Sequence, residues 1–215
     1  WHLASTYTPP EYLVPHLAEW EQPDPRTVIL HVRKGVHWHD KPPMNGRELT
    51  ADDFVYNFHR ATGTGSGFTE PSPAIQDLGA VGIESVTASD KWTVVFKLKQ
   101  PMLSALKIIL DDAWTWILPP EVIKEHGDAK DWRNLVGTGP YEMTALVSGT
   151  SVTYTKNPDY WGYDEKYPEN RLPYVDEVRA LFIKDKATVL AALRSGKADY
   201  VGMAGASSIS SFDAA

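Results

Sequence analysis

The residues best suited to metal chemistry lie close together near the start of the chain. His31, His37, His39 and Asp40 combine imidazole nitrogens with a carboxylate, a ligand set that zinc or nickel accepts. His37 and His39 are two residues apart, so on a strand their side chains would share one face. Gly35 breaks the register between this pair and His31, and the sequence has no helical His pair of the metalloprotease type. A metal site and a purely structural role are both open at this point.

Two other stretches resemble catalytic motifs only superficially. Gly137-Thr138-Gly139-Pro140 has the glycines of a phosphate-binding loop, but it lacks the Lys-Ser/Thr pair, and Pro140 removes a backbone donor. We interpret it as a tight turn that leads into a strand at Tyr141. The adjacent carboxylates of Asp52 and Asp53 would diverge on regular structure, which disfavours a general acid and base pair. These observations predict that the protein is not an enzyme.

Aromatic residues are frequent in this chain, with eight Trp and ten Tyr. They would either fill the core or line a site with stacking rings. Trp114 and Trp116 lie two apart in an apparent strand, so their rings would project from the same face. Phe68 is the single aromatic residue in a Gly/Pro-rich loop over 63–73, where it has little reason to be part of the core. We predict Phe68, Trp114 and Trp116 as ligand-binding residues, with core packing as the alternative for the tryptophans.

Composition excludes several kinds of partner. The formal net charge of −7 disfavours nucleic acid and anionic membrane surfaces. Because the sequence contains no cysteine, it offers no disulfide, thiolate metal site or Cys nucleophile. No apolar run reaches the ~20 residues that a transmembrane helix needs. The chain begins at Trp1 without a signal peptide, so we expect a processed or truncated form of a longer protein.

Local sequence patterns predict mixed α and β structure. Residues 1–25 are Pro-rich and are expected to be irregular, whereas 27–32 alternate as in a strand. Thr50 is a typical N-cap, Asp53 completes a capping box, and apolar residues then recur at helical spacing, which predicts a helix. The remaining predicted elements are hairpins at 83–88/92–98 and 141–146/151–156, strands at 36–38, 113–118, 175–183 and 199–201, and helices at 102–110, 121–126 and 185–193.

Several motifs in a fixed order carry a resemblance to one family. They are Arg33-Lys34-Gly35 within 30–38, His39-Asp40, the capped helix start at 49–53, GTGPY at 137–141, NPDYWG at 157–162, and 192–201. In this combination the chain resembles the extracellular solute-binding proteins of peptide-type ABC importers, family 5, which include dipeptide, oligopeptide and nickel receptors. The similarity runs from about residue 14 to 201, and the main departure is a longer turn at 41–48. Such receptors have two lobes, so the resemblance implies a chain truncated to most of the N-terminal lobe.

The resemblance also implies a fold class and a division of the chain. The expected fold is α/β (mixed α+β), a periplasmic-binding-protein-like type II (cluster C) lobe. In it, a mixed sheet with helices joins a hairpin-rich subdomain, and the second lobe is incomplete. Residues 1–50 would form part of the first-lobe sheet, 51–135 an inserted helix and hairpin subdomain, 136–201 the return to that sheet, and 202–215 the start of the crossover to the second lobe. His39-Asp40 and GTGPY would serve as structural turns.

The function that the resemblance implies is solute capture. The protein would be the substrate-binding receptor of an ABC importer, taking a peptide or similar small polar solute outside the membrane and delivering it to a permease. The loop around Phe68 would approach the ligand cleft, and no metal, other cofactor or nucleic acid is expected. The protein would be extracytoplasmic, either periplasmic or a cell-surface lipoprotein, and peripheral to the membrane through the full-length protein's anchor.

Three alternative functions follow from the same residues. One is a nickel or metal-chelate receptor of the same fold. Another is a metal-dependent hydrolase that uses His37 and His39, which would need a third ligand and an open coordination position. The last is a purely structural or interaction domain.

Overall fold

The computed structural model describes residues 16–72, 82–105, 109 and 117–201. Its larger sheet has the strand order β1-β2-β4-β3, formed by β1 (Ala18–Asp24), β2 (Thr27–Val32), β3 (Ile83–Asp90) and β4 (Thr93–Leu98). The predictions of β2 and of the β3–β4 hairpin are confirmed. The prediction that 1–25 is irregular is wrong for β1. Its Pro23 lies on an edge strand, beside a register shift, where a missing backbone N–H costs no ladder bond.

The smaller sheet has the order β5-β6-β7 and comes from the last third of the chain. β5 (Tyr141–Val147) and β6 (Ser151–Lys156) form the predicted hairpin around Gly149, which adopts a positive φ in the turn. β7 (Glu177–Leu181) pairs antiparallel with β6 and is shorter than the predicted 175–183. Every residue of β7 is exposed, so this strand lies at the surface of the described structure.

Three α-helices that lie wholly within the described residues accompany the sheets. α1 (Ala51–Thr62) begins after Thr50, whose N–H donates to the Asp53 carboxylate at 2.9 Å as in a capping box. α2 (Pro120–His126) starts at a proline and ends at Gly127, which adopts the left-handed conformation as predicted. α3 (Lys186–Arg194) begins after Asp185, which accepts from the Thr188 N–H at 2.8 Å. All three helices were predicted, with shifts of one or two residues at their ends.

The hydrophobic core lies between the larger sheet and α1. Phe58 of α1 packs edge to face on Phe96 of β4, with ring centroids 4.7 Å apart. The apolar face of β2 contributes Val28 and Leu30, which are almost completely buried. Burial of this apolar surface is the main stabilisation of the fold. The side chain of Val122 in α2 joins the same core and ties the middle of the chain to its first part.

Other predicted elements differ from the structure. Residues 36–38 form only a single bridge, between His37 and Glu48, and 199–201 do not form a strand. Within the predicted helix at 102–110, residues 102–104 are not helical, residues 105 and 109 are helical, and the others lie outside the described residues. The predicted strand at 113–118 falls largely outside the described residues. The mixed α and β class is confirmed, but every strand pairing in the described ranges is antiparallel. Among those residues, no helix is long and apolar enough to cross a membrane.

A single arginine side chain joins the loop before α1 to both α1 and α2. Arg47 donates from Nη1 and Nη2 to the two oxygens of Asp53, at 2.9 and 2.6 Å. It donates from Nε and Nη2 to Glu121 at 2.6 and 2.8 Å, and from Nη1 to the Glu48 carbonyl at 3.0 Å. These bonds engage all five N–H groups that a guanidinium carries. We call Arg47, Asp53 and Glu121 the carboxylate clamp.

The carboxylate clamp provides a buried carboxylate, that of Asp53, with a cationic partner. Asp53 is 2% exposed and also accepts from the Trp38 indole N–H at 3.4 Å. The hydrogen bond to Asp53 is the main reason why the pKa of Arg47 lies above its usual value. For Glu121, burial is the largest single influence and raises the pKa. The hydrogen bonds and charge of Arg47 outweigh it, so that the pKa lies below its ordinary value of 4.5.

Replacing the arginine of the clamp should strongly destabilise the protein. Arg47→Ala leaves the buried Asp53 carboxylate without its cation, and we expect a loss of about 3 kcal/mol in the free energy of unfolding. Urea denaturation followed by circular dichroism measures this loss. The matched control is Arg133→Ala, which removes an exposed arginine paired with Asp131 and should change little. Equal effects of the two substitutions would contradict the role of the clamp.

The clamp also predicts a pH dependence of stability. Because the folded-state pKa of Glu121 is lowered, its ionised form stabilises the protein above about pH 4.5, and this contribution disappears as the pH falls through the folded-state pKa. The difference in unfolding free energy between the wild type and Glu121→Gln should therefore be full near neutral pH and shrink below pH 4.5. Denaturation curves between pH 3 and 7 check this. Glu125→Gln, on an exposed position of the same helix, should show no such trend.

Candidate ligand-binding site

The loop that carries Phe68 folds back tightly on the end of α1. Gly63 ends the helix with a positive φ, and a Cβ there would lie 2.3 Å from the backbone of Glu70 and Pro71. The His59 ring bridges the loop to the larger sheet, because it contacts the Ser66 hydroxyl at 2.9 Å and the Val86 carbonyl at 3.1 Å. The loop is thus held by hydrogen bonds at its tip as well as at its ends. The prediction of irregular structure over 63–72 is confirmed, but the loop is well anchored.

Phe68 packs against a tyrosine of α1. The ring centroids of Phe68 and Tyr56 are 5.3 Å apart at 68°, an edge-to-face contact. The Lys124 ammonium of α2 lies 5.1 Å from the centroid of the Tyr56 ring. Burial raises the pKa of the Tyr56 hydroxyl, and Phe68 itself is half-buried. Phe68 therefore presents only part of its ring to solvent, on a fixed support.

Only one of the three predicted ligand-binding residues lies within the described part of the chain. Trp114 and Trp116 lie outside the described residues. Their predicted shared face and their contact with ligand stay predictions. Phe68 alone can be placed, at the surface formed by the C-terminal half of α1 and by α2.

The two histidines of the candidate metal site do not share a face. His37 is exposed, whereas His39 is 6% exposed and points inward. The Nδ1 of His39 accepts from the Gly137 N–H at 3.2 Å, so its proton resides on Nε2, which donates to the Gly139 carbonyl at 3.0 Å. The shared-face prediction is wrong because the backbone from His37 to His39 is not a regular strand. Within the described ranges, no three His, Cys, Asp or Glu side chains are placed to hold a metal ion.

The motifs singled out in the sequence meet at one carbonyl group. The Gly139 carbonyl accepts from His39 and also from the Asn157 amide at 3.1 Å. The other end of that amide accepts from the Asp159 N–H at 2.9 Å and closes the turn of NPDYWG. We call His39, Gly137, Gly139 and Asn157 the motif junction. The structural role predicted for His39 and GTGPY is confirmed.

A second aromatic group adjoins the motif junction. The guanidinium carbon of Arg33 lies 4.9 Å from the centroid of the Trp161 ring. The rings of His16 and Trp161 pack edge to face, with their centroids 5.0 Å apart. Burial, and then the charge of Arg33, lower the pKa of His16. The Trp161 indole Nε1 is buried, and it has no hydrogen-bond partner in the structure. The sequence predicted only a turn for NPDYWG. The stacking of Arg33 on Trp161 was not predicted, because these two residues are far apart along the chain.

Solved structures with the same fold are periplasmic and other solute-binding proteins. MoaA from A. tumefaciens R10, in complex with mannopinic acid, superposes with a TM-score of 0.69 at 27% identity, over 88% of this chain and 35% of that one. DppA from Helicobacter pylori, in complex with the peptide STSA, gives a TM-score of 0.66 at 27% identity, over 85% of this chain and 36% of that one. The fold is therefore that of a type II periplasmic binding protein, matched over about a third of its length.

Sequence comparison assigns the family. The chain belongs to the bacterial extracellular solute-binding proteins, family 5, whose family model matches residues 12–215. A putative ABC transporter peptide-binding protein of Brucella ovis is 31% identical over 169 residues, which cover 76% of this chain and 28% of the relative. The dipeptide-binding protein of Escherichia coli K12 is 32% identical over 162 residues, which cover 70% of this chain and 30% of that protein. The chain thus spans less than a third of the length of these relatives.

Because only His39 takes part in the motif junction, replacing His39 and replacing His37 should affect stability to different degrees. His39→Ala removes both ring hydrogen bonds and leaves a cavity, so the free energy of unfolding should fall by about 2 kcal/mol. His37→Ala, at an exposed position two residues away, should change it by less than about 0.5 kcal/mol. Thermal and urea denaturation measure both. A zinc- or nickel-dependent rise in melting temperature that either substitution abolishes would instead support a metal site.

Proposed function

We propose that this chain is part of the substrate-binding receptor of an ABC importer, which captures a peptide or similar small polar solute and delivers it to a permease. The observation that carries the proposal is the family match over nearly the whole chain, together with curated relatives that are peptide-binding proteins. In this proposal the role is capture and not catalysis. The receptor works outside the cytoplasm, as a periplasmic protein or a cell-surface lipoprotein attached through an anchor.

The division of labour within the receptor is part of the same proposal. The predicted boundary at residue 50 needs revision, because β1 and β2 share one sheet with β3 and β4, whereas β5, β6 and β7 form a separate sheet. In the revised division the inserted subdomain includes 18–32 as well as 51–135. Residues 136–201 belong to the first lobe, and the crossover to a second lobe begins at 202–215. Because closure around a ligand uses two lobes, this chain alone binds its solute weakly or not at all. Residues Phe68, Trp114 and Trp116 are the proposed contacts from this side of the cleft. Phe68 is supported by its half-exposed ring on a loop that His59 and Gly63 hold in place.

A second candidate solute is an opine. Its support is the similarity to MoaA, whose structure contains mannopinic acid. An aromatic wall suits either ligand, because a peptide side chain and a sugar-derived chain both offer apolar C–H surface. The nickel or metal-chelate alternative loses its support, since His37 and His39 point to different environments.

Ligand identity can be tested on the intact receptor. Native mass spectrometry of the purified receptor should show a bound peptide, and titration calorimetry with di- and tripeptides should give the affinity. Phe68→Ala should weaken binding by roughly fivefold, the value of one aromatic contact. The control Tyr167→Ala removes an exposed ring elsewhere and should leave the affinity unchanged. Binding of mannopinic acid but not of peptides would favour the opine as the solute. If the Phe68→Ala variant binds with the same affinity as the wild type, Phe68 does not contact the ligand.

A further inference from the structure

The connection between β6 and β7 displays three tyrosines to solvent. Tyr163, Tyr167 and Tyr174 are 51%, 57% and 58% exposed, and they lie in a stretch outside helices and strands at 163–175, which we call the tyrosine loop. Single exposed aromatic residues are common on protein surfaces, whereas several in one loop are typical of an interface. Tyrosine suits this use, because its rigid ring offers apolar contact area and its hydroxyl offers a hydrogen bond.

The tyrosine loop is ordered by its own hydrogen bonds. The Oδ1 of Asp164 accepts from the backbone N–H groups of Lys166 and Tyr167 at 2.7 and 2.9 Å. Its Oδ2 accepts from the Tyr174 hydroxyl at 2.8 Å, and this bond is the largest cause of the lowered pKa of Asp164. The Asp164 N–H donates in turn to the Asn170 carbonyl at 3.0 Å. The loop therefore holds its shape without a partner, which reduces the entropy that association would cost.

An arginine adjoins the exposed rings. Arg171 donates from Nη1 to the Pro158 carbonyl at 3.0 Å, and its guanidinium carbon lies 5.7 Å from the centroid of the Tyr163 ring. Tyr163 and Arg171 also form a β-bridge, which brings the two arms of the loop together. Tyrosine and arginine are the residue types, with tryptophan, at which binding energy concentrates in protein interfaces. The tyrosine loop thus has the composition of an interface centre.

The charge around the tyrosine loop limits the kinds of partner. Residues 159–177 carry six carboxylates and two cations, so more than half of the formal net charge of −7 lies in this stretch. Glu165, Glu169 and Asp176 are exposed. Such a surface repels phosphate groups and also a second copy of itself. It attracts a protein surface that carries lysine or arginine, since these cations pair with the carboxylates and stack on tyrosine rings.

We propose that the tyrosine loop is a docking surface of the receptor for a segment of the permease that carries exposed lysine or arginine side chains. The exposed carboxylates steer the encounter, and the rings of Tyr163 and Tyr167 with Arg171 form the packed centre of the contact. The proposal rests on the proposed function, in which the permease is the protein partner of the receptor. It adds a second surface, carried by the smaller sheet, whereas Phe68 lies on the loop that follows α1.

Removal of one ring tests the packed centre of this surface. Biolayer interferometry would measure docking of the intact, solute-loaded receptor on the permease in phosphatidylcholine nanodiscs. Tyr167→Ala should weaken docking by about tenfold and leave the solute affinity unchanged, because only the backbone of Tyr167 enters the hydrogen bonds that shape the loop. The control Leu103→Ala removes an exposed apolar side chain beyond β4 and should dock like the wild type. Docking of Tyr167→Ala with wild-type affinity would overturn the proposal.

Charge reversal gives a separate readout. The double variant Glu165→Lys and Glu169→Lys should associate with the permease on the order of tenfold more slowly, and its association rate should no longer fall as salt is added. The control Glu19→Lys and Glu125→Lys makes the same change in net charge at exposed positions of β1 and α2. It should associate nearly as fast as the wild type. Equal rates for the two double variants would contradict steering by the loop.

The other possible occupants of the tyrosine loop are distinguished by two measurements. If Tyr163 and Tyr167 resist nitration by tetranitromethane in the intact receptor without permease, another part of the receptor covers them, and the proposal is wrong. A dimer that grows with concentration and that Tyr167→Ala abolishes would also refute it. If the receptor binds solute and all loop variants dock equally well, this proposal alone fails. If the receptor binds no solute, the proposed function fails instead.

Discussion

The ion pairs of Arg47 fix the relative positions of α1, α2 and the loop before α1. One guanidinium fixes the loop 41–48, the first turn of α1 through Asp53, and the first turn of α2 through Glu121. A carboxylate as buried as Asp53 would be costly without this cation. The Asp53 carboxylate also accepts from the Thr50 N–H at the start of α1. One carboxylate thus caps the helix and binds the arginine that reaches α2. Because α1 carries the Phe68 loop at its other end, the clamp sets where the candidate contact residue lies.

A second constraint connects the two sheets. The Gly139 carbonyl accepts hydrogen bonds from His39, which follows β2 of the larger sheet along the chain, and from Asn157, which directly follows β6. Three motifs that are far apart along the chain are therefore parts of one small junction. The His39 ring, the Asn157 amide and the backbone of GTGPY are engaged in hydrogen bonds with one another, so these residues hold the scaffold together.

Much of the local structure could be predicted from the sequence because its signals are local. Thr50, Asp53 and Gly63 define α1, and Pro120 and Gly127 define α2. β1 was not predicted, because Pro23 argues against a strand in the sequence. The proline is tolerated since β1 lies at the edge of its sheet, and the position of a strand in a sheet cannot be seen in its local sequence. The clamp could not be foreseen, because Arg47 and Glu121 are brought together by folding and not by spacing. The orientations of His37 and His39 likewise depend on the junction with Gly137, which no periodicity reveals.

We propose that this chain supplies one side of a two-lobed solute receptor. Titration calorimetry of the 215-residue protein and of the intact receptor with the same mixture of di- and tripeptides tests it most directly. The account predicts saturable binding by the intact receptor and binding by the 215-residue protein that is weaker by orders of magnitude or undetectable. Equal affinities would contradict the need for a second lobe, and absence of binding by the intact receptor would contradict its role in peptide capture.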